Sequence, residues 1–253
     1  MKLVLYDGSF AGLLTAVFEI YEYKVGQPDI RKAGTANGSL FGNPHTVETN
    51  LDKSKRVFKK LQERVTPWAA RQLYNAWLSE LKDIENVILR YIQYSLNTKL
   101  AVENNYTHAD VLMIQQTSRK VHREKHRMEA FVRFQLTRDQ LYYCIIQPDY
   151  NVLPLISKHF EDRYADQRWL IYDGLRKYGL YYDLEKVEEV QMNFEADLNS
   201  LQHLQEVFDE KEELYQQLWK QYFNSVNIGA RKNMKLHIQH MPKRYWKYLI
   251  EKQ

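Results

Sequence analysis

Residues 168–182 read Arg168-Trp169-Leu170-Ile171-Tyr172-Asp173-Gly174-Leu175-Arg176-Lys177-Tyr178-Gly179-Leu180-Tyr181-Tyr182. Two runs rich in aromatic and aliphatic side chains, 168–172 and 178–182, flank Asp173-Gly174, the residue pair of a tight turn. The pattern predicts a β-hairpin. Upstream, 130–137 and 141–147 flank Arg138-Asp139-Gln140 and predict another hairpin. There Val132, Phe134 and Leu136 would face one way and Phe131, Arg133 and Gln135 the other. A helix over 152–164 separates the two hairpins, and 187–194 supplies a further strand. Sequential hairpins join neighbouring strands, so the expected sheet is antiparallel and the class α+β.

Working outward, 2–6 reads as a short buried strand and Asp7-Gly8-Ser9 as a turn. A helix follows over 10–23, with Leu13, Leu14, Val17, Phe18 and Tyr21 on one side. Six of the nine glycines lie between positions 8 and 42, so 24–44 is expected to be loop, with a short strand near 45–49. Residues 51–128 have helical spacing. Val57, Phe58, Leu61 and Val65 form one buried stripe. Thr66 and Pro67 read as an N-cap and first helical residue of a helix to about 82, followed by helices over 84–96 and 107–127. Beyond the strands, Asp209 and Glu212 form a capping box ahead of a stripe of Leu214, Leu218, Tyr222 and Val226. Pro242 opens a last short helix over 243–251. The chain reads as a single domain, 1–253, with four subregions: strand, turn, helix and glycine-rich loop (1–50), helical (51–128), β-rich (129–195) and a helical basic tail (196–253).

The 253 residues carry a net charge of +4, unevenly spread. Residues 1–50 sum to −1, 51–147 to +7, 148–213 to −9 and 214–253 to +7. Basic surface attracts polyanions and releases their counterions; alternatively the basic and acidic blocks pair inside the fold. One cysteine, Cys144, excludes a disulfide scaffold and any cysteine-rich zinc or iron–sulfur site held by this chain alone. With no run of 18 apolar residues and no cleavable leader, the expected location is the cytoplasm, away from membrane.

Two stretches suit nucleic acid. On the helix ending near 127, Arg119, Arg123 and Arg127 recur every four residues, beside Lys120 and His126, with Ile114, Val121 and Met128 opposite. Arginine binds phosphate bidentately. In the tail, Pro242-Lys243-Arg244-Tyr245-Trp246-Lys247-Tyr248 interleaves cations and rings, as do surfaces that grip a strand and stack its bases; on a helix, however, Tyr245, Tyr248 and Leu249 share a side that could be core. With Arg133, the candidate nucleic-acid residues are Arg119, Lys120, Arg123, His126, Arg127, Arg133, Lys243, Arg244, Tyr245, Trp246 and Lys247.

Other features carry less. Gly8 and Ser9 form a strand-to-helix turn that could hold an anion on free amides, although a capping turn suits the residues better. His122 with His126, and His237 with His240, have spacings that could share an ion, but cations surround the first pair; no metal site, cofactor or catalytic set is assigned. Asp7, Asp166 and Asp173 could serve a metal-dependent hydrolase only if they converge. Cys144, in a buried strand, reads as structural.

Several stretches resemble bacterial proteins assigned to DNA repair or DNA metabolism and built on a domain of unknown function. The resemblance rests on Tyr6–Phe10 with Gly12-Leu13-Leu14, His126–Phe134, Pro148–Leu155, His159-Phe160 and on through Tyr164, Ala165–Asp173, Tyr178–Asp183 and Met241–Lys247. Relatives are fused to uracil-DNA-glycosylase-like domains or paired with a radical-SAM protein. This chain looks like the stand-alone form, without the cysteines of a radical-SAM cluster, so neither activity transfers. Ala11 stands where many relatives are expected to carry an acid. The resemblance implies DNA as the polyanion and a radical-SAM or glycosylase-like protein as partner. The expected role is a DNA-binding accessory protein; the alternatives are a metal-dependent nucleic-acid hydrolase and a structural adaptor that never touches DNA.

Overall fold

The computed structural model describes residues 2–34, 43–98, 101–138, 140–191, 216–218, 221 and 234–252. The chain divides into two compact units, Met1–His122 and Arg123–Gln253.

The first unit opens with β1 (Lys2–Tyr6), a turn and α1 (Phe10–Glu22). Val4 and Tyr6 alternate inward on β1. The Ser9 hydroxyl caps α1 by accepting the Gly12 amide at 2.9 Å. β2 (Pro28–Lys32) and β3 (His45–Thr46) flank β1, both parallel to it, in the order β2-β1-β3. β2 corrects the expectation of loop over 24–44. Its Ile30 is buried, and its edge is satisfied by Asn86, whose side chain accepts from the Ile30 amide at 2.8 Å and donates to Asp29 at 2.9 Å. α2 (Leu51–Gln62), α3 (Pro67–Trp77) and α4 (Ile84–Asn97) complete the packing with the first part of α5 (Ala109–Phe131). The Thr66 hydroxyl accepts from the Ala69 amide and Pro67 begins α3, which ends at Trp77 rather than near 82. Val4, Leu13, Val17, Leu61, Leu73 and Ile88 sit in this core.

The second unit holds a five-stranded sheet, β4-β5-β6-β7-β8, built from β4 (Gln135–Leu136), β5 (Tyr142–Ile146), β6 (Trp169–Asp173), β7 (Tyr178–Tyr182) and β8 (Val187–Val190). The β6–β7 hairpin forms as expected, pairing Trp169 with Tyr182 and Asp173 with Tyr178. The antiparallel expectation holds only in part. β4–β5, β6–β7 and β7–β8 are antiparallel, but β5 and β6 are parallel, because α6 (Leu153–Arg163) carries the chain back between them. With the separate parallel sheet of the first unit, the class is mixed α/β. The strand expected over 130–137 is also corrected: α5 runs through Phe131, leaving only Gln135–Leu136 to pair. Phe134, Phe160, Trp169 and Tyr182 form an aromatic core at centroid distances of 5.5–6.4 Å. α7 (Met234–His240) and two 3-10 turns, Lys243–Tyr248 and Ile250–Lys252, follow. The capping box at Asp209 and the stretches 192–194 and 222–226 lie outside the described residues.

Candidate nucleic-acid interface

α5 sorts its residues much as its spacing predicts. Ile114, Val121 and Met128 are buried, while Arg119, Lys120, Arg123 and His126 are exposed. Arg119 and Lys120 belong to the first unit, and Arg123 onward to the second. The side chains of Arg119, Lys120 and Arg123 make no ion pair among the described residues. Arg127 differs. It is half-buried and turns to Glu124, 3.4 Å away.

Glu124 organises the second unit, although nothing in its local spacing marks it. Its side chain is 1% exposed. Oε1 accepts from the Asp149 amide at 2.9 Å and from the Tyr245 hydroxyl at 2.5 Å. Oε2 lies 3.4 Å from the guanidinium groups of both Arg127 and Arg244. A buried carboxylate is tolerated only with such a set of donors. Arg244 also pairs with Asp149 at 2.7 Å and donates to the Tyr245 hydroxyl at 2.6 Å. Burial first, then the hydrogen bond to Glu124, pushes the Tyr245 phenol well above its ordinary range.

From the other side Arg176 holds the same loop. It donates to the carbonyls of Pro148 at 3.1 Å and Asp149 at 3.3 Å, while pairing with Asp173 at 2.9 Å. The Tyr178 hydroxyl donates to Asn151. Residues 148–151 are therefore clamped where the chain leaves β5, next to the carboxyl end of its parallel neighbour β6. The space outside the carboxyl ends of parallel strands is where open α/β sheets receive ligands.

The 3-10 turn Lys243–Tyr248 brings the tail to this place, with the Lys247 ammonium donating to Gln147 at 2.9 Å. Tyr245 is 2% exposed, so it is core and holds Glu124 instead of facing a base. Trp246 remains half-buried. Its indole N–H donates to the Met241 carbonyl at 3.0 Å, and the ammonium groups of Lys243 and Lys252 lie 5.9 and 5.4 Å from its ring centre. Lys243, Arg244 and Lys247 are exposed. Arg133 takes a different part from the one expected. It donates to the Ala130 and Val132 carbonyls and pairs with Glu251 at 2.9 Å, fastening the end of α5 to the last turn.

The Gly8-Ser9 turn serves its own helix. The Ser9 amide and hydroxyl both donate to Asp7 at 2.8 Å, so the amide expected to hold an anion is taken by the chain. Burial alone would raise the Asp7 carboxyl, but the bonds from Ser9 and from Thr49 outweigh it and hold it below its ordinary value. Gly8 has φ +89°, and a Cβ there would meet Lys32 at 2.3 Å. Asp173 is wholly buried, engaged by Arg176 and by the amides of Leu175 and Arg176; Asp166 is exposed. Among the described residues, no three His, Cys, Asp or Glu side chains gather as metal ligands would. Burial pushes the Cys144 thiol up to about 12. Among the described residues no helix is long and apolar enough to cross a membrane.

The second unit is thus a mixed-sheet α/β module. A buried carboxylate ties α5, a clamped loop and a basic 3-10 turn into one surface rich in cations. Residues 82–251 match the model of DUF4130, a domain of unknown function, and the chain belongs to that family. No curated protein and no solved structure gives a match.

Proposed function

We propose that the protein is a DNA-binding accessory factor of a repair or modification pathway, acting with a catalytic partner. The observation that carries this reading is Trp246, an indole with the Lys243 and Lys252 ammonium groups 5.9 and 5.4 Å from its ring centre, on a turn that also presents Lys247. Rings among cations suit a strand whose bases stack while its phosphates pair. Arg123 adds a cation on α5 within the same unit. Tyr245 and Arg133 drop out of the binding set because they fasten the fold, and Arg127 because it is committed to Glu124.

The adaptor alternative requires the acidic block to neutralise Arg119, Arg123 and Arg127. Arg127 pairs instead with Glu124, within its own basic segment, and Arg244 meets the acidic block at Asp149. A radical-SAM or glycosylase-like protein is the partner implied by the resemblance, with the acidic residues of 148–213 as its docking surface.

Duplex binding as a function of salt tests the reading. Contact with roughly five phosphates gives a slope of log K against log salt near −4.5, and Arg123→Ala or Lys243→Ala each flattens it by about 0.9. Trp246→Ala weakens single strands more than duplex. Absence of DNA binding at about 50 mM salt, with and without the partner, sinks the proposal.

A further inference from the structure

α2 carries a second cationic surface, in the first unit, that the proposed function does not use. Ser54, Val57, Phe58 and Leu61 form its inner stripe, buried or half-buried. Lys55, Arg56, Lys59 and Lys60 lie on the outer side, all exposed, and Arg64 follows in the next turn. Two acids share that side, Asp52 and Glu63. Glu63 is held by Lys60 at 2.8 Å. Arg56 is braced over the Phe18 ring, 4.9 Å from its centre. The side chains of Lys55, Lys59 and Arg64 make no ion pair among the described residues. Lys55 and Lys59 stand about 6 Å apart along the axis, one above the other.

Beside this helix stands an indole. Trp68 is the second residue of α3, and Ala69 and Ala70 take the inward positions there, which leaves Trp68 60% exposed. Arg71, three residues on, shares its face and is also exposed. Arg64 lies in the segment between α2 and α3. An exposed ring with a guanidinium on its own helix face, on the helix that follows a lysine-rich one, has the composition of a stacking platform with phosphate contacts. A membrane-binding helix would need an apolar outer stripe, and the outer side of α2 has none.

We infer that the α2–α3 corner is a single-strand nucleic-acid site: Trp68 stacks on a base, and Lys55, Lys59, Arg64 and Arg71 take the flanking phosphates. The class of partner is shared with the proposed function, but none of the residues is, so the two stand separately. The test uses the full chain and a fluorescein-labelled deoxythymidine oligomer of about 20 nucleotides, read by anisotropy across a salt series. Trp68→Ala weakens binding about tenfold or more, and Lys55→Ala with Lys59→Ala flattens the single-strand salt slope by about 1.4. All three side chains are exposed, so unchanged circular dichroism and melting confirm that folding is kept. Arg123→Ala and Lys243→Ala are measured in parallel. If those lose affinity while the α2–α3 variants bind like wild type with an unchanged slope, this inference is overturned and the proposed function survives. The opposite pattern supports this site, and the duplex salt series then decides the proposed function separately. Loss of binding to anionic lipid vesicles or to polyglutamate, with oligomer binding intact, also overturns it, as does a wild-type chain that fails to bind the oligomer.

Discussion

Tyr245→Phe removes one oxygen atom from the second unit and tests the whole account of Glu124. The Glu124 carboxylate is buried, and the Tyr245 hydroxyl is one of its donors, at 2.5 Å. A hydrogen bond to a charged group contributes about 1.5–3 kcal/mol. Phenylalanine keeps the ring volume, so no cavity term is added. The carboxylate keeps the Asp149 amide at 2.9 Å, with Arg127 and Arg244 at 3.4 Å, so it is left short of one donor, not stranded. The expected loss is therefore about 1.5–3 kcal/mol, a drop of about 3–12 °C in melting temperature at 2–4 °C per kcal/mol. Urea unfolding followed by circular dichroism reads it as a lower midpoint with unchanged slope. Alkali provides a second reading. The folded phenol is held above its ordinary range by burial and by Glu124. Its stabilising contribution is thus full below the unfolded value near 10 and fades as pH rises toward the folded one. The gap between wild type and variant should narrow above about pH 10. A loss under about 0.5 kcal/mol, the ordinary range for surface changes, with a gap that ignores pH, would refute the reasoning.

Further tests address other elements. Gly12→Ala should destabilise the first unit by about 1–3 kcal/mol despite alanine's better helix propensity, because the new Cβ would meet Asp7 at 2.2 Å and Thr49 at 2.8 Å; an unchanged or higher melting temperature contradicts this. Asp7→Asn should blunt acid denaturation: the carboxyl is held low when folded, so its contribution is full above the unfolded value and is lost as pH falls from there through the lower folded one. Equal acid midpoints for variant and wild type count against that. Cys144 should resist a thiol reagent at pH 8 until the chain unfolds, since burial holds the thiol up at about 12; rapid labelling of native protein argues otherwise. Trp169→Ala should cost about 3–5 kcal/mol, seen as loss of cooperative unfolding of the second unit, because its indole sits wholly buried among Phe134, Phe160 and Tyr182.

The parts legible in the sequence are those specified locally. Ser9 ahead of a helical stripe, Thr66 before Pro67, and Asp173 closing its own turn each determine structure within a few residues. What escaped the reading depends on distant partners. β2 is a polar-looking Pro28-Asp29-Ile30-Arg31-Lys32 whose strand character comes from pairing with β1 and from Asn86, 56 positions from Ile30. The alternation of Val132, Phe134 and Leu136 suggested a strand from residue 130, yet Met128 buries itself on the helical stripe and α5 continues to Phe131. The parallel β5–β6 pair could be suspected from the helix between them, since a crossover is what parallel strands need. Of the site, the exposed cations are visible in the spacing, whereas Glu124 is hidden among Arg123, Lys125 and Arg127 because, apart from Arg127, its donors lie 25 or more positions along the chain. Arg133 was assigned to a strand face that does not exist.

The closing bonds of the second unit join residues far apart in the chain: Glu124 to Tyr245, 121 positions on, and Arg133 to Glu251, 118 positions on. Loops of that length close slowly and yield stability only once closed. The first unit also uses distant partners, Asn86 to Ile30 spanning 56 positions, but all its residues precede Arg123. During synthesis every residue of the first unit is therefore made before the closing residues of the second. Until then Glu124 lacks its Tyr245 and Arg244 donors, and a chain stalled before Met241 would hold an unclosed, protease-sensitive second unit.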